Sequence, residues 1–296
     1  MKDTSFVITT ESNSEIPYAW EDRTGVGVLR MPYTVNDVEY YYDLGRETDI
    51  TGFYNTMRGG ATVVTAQRNP NEAADYFEPY LKAGKDILHI GFSSALSGTF
   101  DCERIAAQEL KEKYPERRIE LVDTLAISAP LALLVEEATR MQDEGRTLDE
   151  IRAWVEENKQ RSIALFTVDS LEYLRRGGRV SGAAAFFGSV LEIKPVLYIS
   201  PEGKLVPFEK IKGRKRAIKF LAEKCAQTID KPEEQSIVVS QADCMEDALA
   251  LKALLEEAVH PKEVRIHPVG PTIGSHSGPG TLSLAYFCRA RSEIKV

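Results

Sequence analysis

The sequence predicts an α/β chain of two domains, and three observations carry that expectation. Through residues 5–158, apolar runs of strand length alternate with helix-like segments, the pattern of a parallel sheet with helices on both faces. Three of these strands end in hydroxyl-bearing loops, at Thr65, at Ser93 to Thr99 and at Thr124. That is the end of an open α/β sheet where ligands bind. After the charged stretch Glu156-Glu157-Asn158-Lys159-Gln160-Arg161 the pattern becomes a mixed α/β one. At 296 residues a single core is near its size limit, so the division is placed there. The expectation is an N-terminal, parallel-sheet, Rossmann-like domain over 1–160 and a mixed α/β C-terminal domain over 161–296.

Taken in order, residues 5–10 read as a buried strand that ends in the polar turn 11–17. Strands follow over 26–33 and 38–42. Asp49 opens a short helix that Gly59-Gly60 stops, and 61–65 is the next strand. Asn69-Pro70 is a cap with proline at the first helical position, and Gly84 closes that helix. A strand over 87–92 feeds a loop and a helix over 100–114, and 118–122 is again a strand. The helix over 126–144 is apolar through its first half, as expected of a helix lying on a sheet. Thr147-Leu148-Asp149-Glu150 is a capping box, and Leu148, Ile151, Trp154 and Val155 recur at helical spacing.

In the second half, 162–168 reads as a strand and 171–176 as a short helix broken by Gly177-Gly178-Arg179. The segment 181–191 is small and apolar. Residues 195–199 and 205–209 flank Pro201-Glu202-Gly203 as an antiparallel hairpin. Helices over 214–229 and 245–260 alternate with strands over 236–240 and 264–269. The chain closes with the glycine-rich loop 273–280 and a strand over 282–288.

Composition narrows the function. A net charge of −8 opposes nucleic-acid binding, which rewards clustered Lys and Arg. Cys102, Cys225, Cys244 and Cys288 form no CxxC, so neither a zinc site nor a disulfide framework is indicated. No HExxH or aspartate cluster suggests a metal. The N-terminus lacks the apolar core of a signal peptide and no run approaches membrane-spanning length, so a cytoplasmic protein is expected, with a monomer as the default.

The candidate ligand site centres on Gly91-Phe92-Ser93-Ser94-Ala95-Leu96-Ser97-Gly98-Thr99. A helix N-terminus offers unpaired N–H groups and suits a small anion. The loop has no lysine and no Walker-type pattern, so a hydroxyl-lined grip on a carboxylate fits better than a phosphate cradle. A helix-capping role is the plain structural alternative. Among the four histidines, His276 stands out, lying between two serines in a glycine-rich loop where an imidazole can donate to a carboxylate. A turn histidine on the surface is its bland counterpart, and His89 inside a strand reads as a packed histidine. Ser97 and His276 also suggest a Ser/His hydrolase of a small ester, but no GxSxG elbow is present and no acid is marked as the orienter. A binder of another small organic anion is the third class. Lys210, Lys212, Arg214, Lys215 and Arg216 place five positive charges at a helix start, opposed to its dipole. Arg175, Arg176 and Arg179 form a second basic knot just before 181–191, a juxtaposition that suits a gate meeting a membrane or a partner protein.

Several of these stretches together resemble the DegV family of bacterial fatty-acid-binding proteins, over nearly the whole chain. The family's opening aspartate-serine turn is similar to Glu11-Ser12-Asn13-Ser14-Glu15-Ile16-Pro17, and its Thr-Ser-Gln motif to Thr65-Ala66-Gln67. Its Ser-Ser-x-Leu-Ser-Gly-Thr is met in full by Ser93 to Thr99. Its Leu-x-x-Leu-x-x-Gly-Gly-Arg element matches Leu171 to Arg179, its Lys-Pro strand matches Lys194-Pro195, and its Gly-x-His-x-Gly-Pro-Gly loop matches Gly274 to Gly280.

The resemblance implies two α/β domains with one long-chain fatty acid in the interdomain cleft. It implies that Thr65, Ser97 and His276, with Ser94 as a neighbouring candidate, hold the carboxyl group. It further implies a carrier, with no catalytic residue and no cofactor, that presents the acyl chain to a separate fatty acid kinase using ATP. Arg176, Arg179, Lys212 and Arg214 would then contact the partner or its phosphate; transient contact with a membrane surface is a separate expectation from the basic knot beside 181–191. Departures are Glu11 for the usual aspartate, Ala66 and Arg68 for Ser and Pro of the second motif, and the absence of Ser-x-Gly in 126–130. Arg68 is expected beside the headgroup, where it would strengthen carboxylate binding or reshape the mouth.

Overall fold

Period-two alternation in the first strands decides how the layers stack. Phe6 and Ile8 face one way with Leu88 and Ile90, while Val7 faces the other with Ile87 and Ile119. The computed structural model describes residues 2–180 and 193–294. The first half runs β1 (Phe6–Glu11), α1 (Tyr18–Thr24), β2 (Gly27–Leu29), β3 (Pro32–Val35), β4 (Val38–Tyr41), α2 (Ile50–Arg58) and β5 (Val63–Thr65). It continues with α3 (Pro70–Lys82), β6 (Asp86–Gly91), α4 (Thr99–Lys113), β7 (Ile119–Asp123), α5 (Ala129–Asp143) and α6 (Leu148–Asn158). The second half holds β8 (Ser162–Thr167), α7 (Glu172–Gly177), β9 (Ile193–Ile199), β10 (Leu205–Lys212) and α8 (Arg214–Thr228). It ends with β11 (Ser236–Gln241), α9 (Met245–Val259), β12 (Glu263–Pro268), α10 (Pro271–Ser277) and β13 (Leu282–Phe287).

A four-stranded parallel sheet, order β2-β1-β6-β7, is covered on one face by α3 and α4 and on the other by α5 and α6. A six-stranded mixed sheet, order β10-β9-β8-β13-β11-β12, carries α8 and α9 on its outer face. α5 lies between the two sheets. Leu131, Ala132 and Val135 pack on the first, while Ala129 and Leu133 pack with Val238 and Ala285 of the second. A helix apolar all round is a helix buried on all sides, which explains the long apolar stretch at its start.

Three expectations change, and one helix forms where none was expected. The strand anticipated over 26–33 is two strands, because the chain leaves the parallel sheet at Arg30-Met31 and enters a hairpin. Asn36 and Asp37, both at positive φ, form the two-residue turn that returns β4 antiparallel to β3. β5 joins this three-stranded antiparallel sheet, order β4-β3-β5, so Thr65 does not end a strand of the parallel sheet. α1 occupies residues 18–24, between the polar turn and the next strand, where the sequence carries no expectation; at seven residues after Pro17 it is too short to show a periodic stripe. The loop expected at 273–280 begins with α10, entered at Pro271 and stopped by Gly278 at φ 81°. Thr272, Gly274, Ser275 and Ser277 gave it no helical propensity signal. The apolar segment 181–191 lies outside the described residues. Among the described residues no helix is long and apolar enough to cross a membrane.

Candidate functional site

A cavity of about 330 Å³ lies where the C-terminal ends of β1 and β6 meet the inner face of the six-stranded sheet. That volume is within the range of small-ligand sites, about 300–1,000 Å³. Its walls are mainly apolar, with Phe92 and Leu96 from the loop after β6, Phe166 from β8, and Val269 and Ile273 around the start of α10. Polar groups gather toward Thr65, Gln67, Ser97, Arg179 and His276. Thr65 and Gln67 come from β5 and the loop after it, Ser97 from the loop after β6, Arg179 from beyond α7 and His276 from α10, so the grouping exists only in the folded chain.

Thr65 Oγ1 and His276 Nε2 are 2.7 Å apart and share a hydrogen bond across 211 residues of sequence. The short β5 delivers the threonine, and the last turn of α10 delivers the imidazole. Burial, with Arg179 second, pushes the His276 pKa down to about 4, so the ring is neutral at physiological pH. Its Nδ1 is buried without a hydrogen-bond partner. Ser97 Oγ lies 3.0 Å from Thr99 Oγ1 and accepts from the Thr99 N–H at 3.3 Å, which holds it over the N-terminus of α4. Arg179 Nε donates to Leu96 O at 3.4 Å and ties the end of α7 to this loop.

The sequence-predicted residues separate clearly. Thr65, Ser97, His276 and Arg179 line one cavity, with Gln67 beside them. Ser94 is exposed, its N–H directed to Asp123, and it is not among the described lining residues. The buried serine of the pair is Ser93, which donates to Gly203 O at 2.8 Å. Arg68 is not among the described residues that line the cavity: it donates to Arg30 O and Glu72 and stacks 4.7 Å from the Tyr41 ring. The headgroup role expected of Arg68 is therefore corrected; it braces the start of α3. Arg214 pairs with Asp247 at 2.8 Å and sits 3.8 Å from Asp169. Arg176 packs over Tyr173 on α7, and Lys212 is exposed at the end of β10.

The geometry does not make a Ser–His dyad. His276 Nε2 is committed to Thr65, its Nδ1 meets no carboxylate, and a base that protonates near pH 4 is poorly matched to neutral-pH proton abstraction. Sequence reasoning missed Gly177. A Cβ there would come within 2.3 Å of His276 Nδ1, so the imidazole rests directly on this backbone. Gly177→Ala is expected to displace the ring and break its bond to Thr65. Far-UV circular dichroism should remain that of the parent, and a shift of the His276 imidazole resonances in the NMR spectrum reads the displacement.

Comparison with known proteins places this architecture. Residues 5–289 match the family described as "Uncharacterised protein, DegV family". A DegV domain-containing protein of Clostridium perfringens is 41% identical over 282 residues, covering 95% of this chain and 97% of that protein. A DegV domain-containing protein of Lactococcus lactis is 32% identical, covering 98% and 100%. Among solved structures, a DegV family protein from Thermus thermophilus described as binding fatty acid superposes with a TM-score of 0.85 at 28% identity, covering 97% of this chain and 100% of that one. The fatty acid binding protein DegV of Bacillus subtilis gives 0.80 at 26%, covering 97% and 100%. With the family match spanning nearly its whole length and relatives above 30% identity from end to end, the chain belongs to the DegV family.

Proposed function

We propose that this protein binds one long-chain fatty acid in the cleft between residues 1–160 and 161–296 and presents its carboxylate to a separate fatty acid kinase. The observation that carries the reading is a largely apolar cavity in which the Thr65–His276 bond and Ser97, above the N-terminus of α4, stand among the polar groups. With Nε2–H donated to Thr65, the threonine hydroxyl keeps its own proton for a carboxylate, and Ser97 Oγ–H offers a second. Each buried CH₂ contributes about 0.8 kcal/mol, so a chain of about fourteen or more carbons supplies roughly 10 kcal/mol before ordering costs. The hydroxyls then need only orient the headgroup and offset its desolvation. Relatives of the same fold described as fatty-acid-binding support the ligand class. Arg176 and Arg179, near this polar group, are the residues we assign to contact the kinase or its phosphate, with Lys212 farther out.

Solvent extraction of the purified protein followed by mass spectrometry tests the ligand. About one fatty acid per chain is expected, falling at least fivefold in Ser97→Ala with His276→Ala while the fold is kept. Undiminished lipid in that variant sinks the headgroup assignment. Acyl phosphate should form only with kinase and ATP both present, and no turnover of model esters should occur.

A further inference from the structure

The core between the parallel sheet and α4 contains a polar cluster that the ligand cavity does not use. Thr9 and Glu11 on β1 share the face of Val7, and His89 on β6, in register with Thr9, shares the face of Ile87. Glu103 belongs to the buried stripe Glu103, Ala106, Ala107 and Leu110 of α4. Sheet and helix therefore press Glu11, His89 and Glu103 together, and all three side chains are completely buried.

Ordinary pairing leaves this cluster short of positive charge. His89 Nε2 lies 3.3 Å from Glu11 Oε1 and 3.1 Å from Glu103 Oε2, yet it carries at most one proton. No well-aligned donor reaches either oxygen of Glu103, although the His89 ring stands beside Oε2. Among the described residues, His89 is the only ion-pair partner of either carboxylate. Two buried carboxylates facing one imidazole are costly unless a cation or a further proton joins them.

We propose that Glu11, His89 and Glu103 form a site for one divalent transition-metal ion, with zinc the best match. One ligand atom from each residue lies within 4.8 Å of the others. For an ion about 2.1 Å from Nε2 and from each oxygen, the two nitrogen–oxygen separations correspond to ligand angles of about 95–105°, in the range for zinc. One imidazole with two carboxylates suits zinc better than calcium or magnesium, which favour all-oxygen shells. Two carboxylates and a neutral imidazole also balance a double positive charge. The supporting contacts agree. His89 Nδ1 is 3.0 Å from Thr9 Oγ1, so an Nδ1–H donated there leaves the Nε2 lone pair facing the carboxylates. The Phe92 N–H reaches both oxygens of Glu11, at 3.3 and 3.2 Å. The ion would pin β1, β6 and α4 together, with Glu11 two residues before Asn13 and His89 three before Phe92, both of which line the ligand cavity.

The test uses the full untagged chain, purified from zinc-supplemented medium and dialysed extensively. Elemental analysis should find about one zinc per chain, and at least tenfold less in Glu103→Gln. X-ray absorption at the zinc edge should show nitrogen and oxygen ligands with one imidazole and no sulfur. A parent protein without stoichiometric metal overturns the site, because a proton then supplies the missing charge. Equal zinc in Glu103→Gln, or a sulfur ligand, overturns it as well. If Glu103→Gln does not fold, the absorption spectrum of the parent alone decides, and a fatty acid bound or absent in either protein bears only on the cavity.

Discussion

Arg291→Met is expected to lower the stability of the protein by about 3 kcal/mol, the result of leaving several buried carbonyls without donors. Arg291 is 1% exposed, near the end of the chain. Its Nε donates to Ser162 O at 2.7 Å, and its Nη1 to Leu125 O at 2.5 Å and Ser200 O at 3.4 Å. Those carbonyls lie just beyond β7, at the start of β8 and just beyond β9, so one guanidinium joins the parallel sheet to the mixed one. Burial lowers its pKa to about 10, which leaves it charged at neutral pH. Removing it also relieves the cost of an ion in the interior, so the loss stays below the sum of three orphaned acceptors. A methionine fills similar space and isolates the polar loss from a packing defect. Arg291→Lys should recover only part, since an ammonium lacks the planar fork that spans separated acceptors. Urea unfolding monitored by circular dichroism measures the difference. An Arg291→Met midpoint equal to that of the parent removes the guanidinium from any role in joining the two sheets.

The parallel sheet, the hairpin β9–β10, the Asn69 cap and the capping box at Thr147 were legible in the sequence because each rests on local signals: alternation, a tight turn, a capping side chain at a helix start. The loop after β6 was legible for the same reason. What escaped depended on contacts remote in sequence. β5 is only three residues long, and its sheet is chosen by pairing with Tyr33 to Val35 rather than by its own pattern. His276 was found as a residue but misplaced as a loop, since a seven-residue helix with two hydroxyls and a glycine is set by its proline entry and glycine exit. Arg291 carries no local signal at all; a lone arginine in a polar terminus reads as solvated until three distant carbonyls close around it. Glu103 offered one, a carboxylate interrupting the apolar stripe of α4, opposite a histidine inside a strand.

Glu15 supplies the second large effect, and it depends on pH. The residue sits at φ 55° after the turn Ser12–Ser14, and its carboxyl accepts from the Gly270 N–H at 2.6 Å and from the Ser128 hydroxyl. Tyr54 donates to the adjoining Val269 O at 2.8 Å, so two side chains from the first half hold the entry to α10 and thereby the position of His276. Tyr42 and Tyr54 are the titratable neighbours, both raised far above their usual range, and among the described residues no cation pairs with Glu15. Burial pushes its pKa from 4.5 up to about 7. An acid whose folded pKa is raised binds a proton on folding between those values, so its contribution to stability falls as pH rises from about 4.5 to about 7. The change amounts to about 3 kcal/mol. His267 and His276, each lowered to about 4, act in the opposite sense: their contribution is complete above about 6.5 and is lost as pH falls toward 4. Glu15→Gln keeps an acceptor for Gly270 and removes only the charge. Because the histidines are common to both proteins, they cancel in the comparison. Near pH 4.5 the two should be equally stable, and by pH 8 the variant should be more stable by about 3 kcal/mol. Urea midpoints across that range measure the divergence. A difference that stays constant with pH would mean that water or a rearranged backbone neutralises Glu15, and that the path from its carboxyl to α10 is not the rigid clamp its contacts describe.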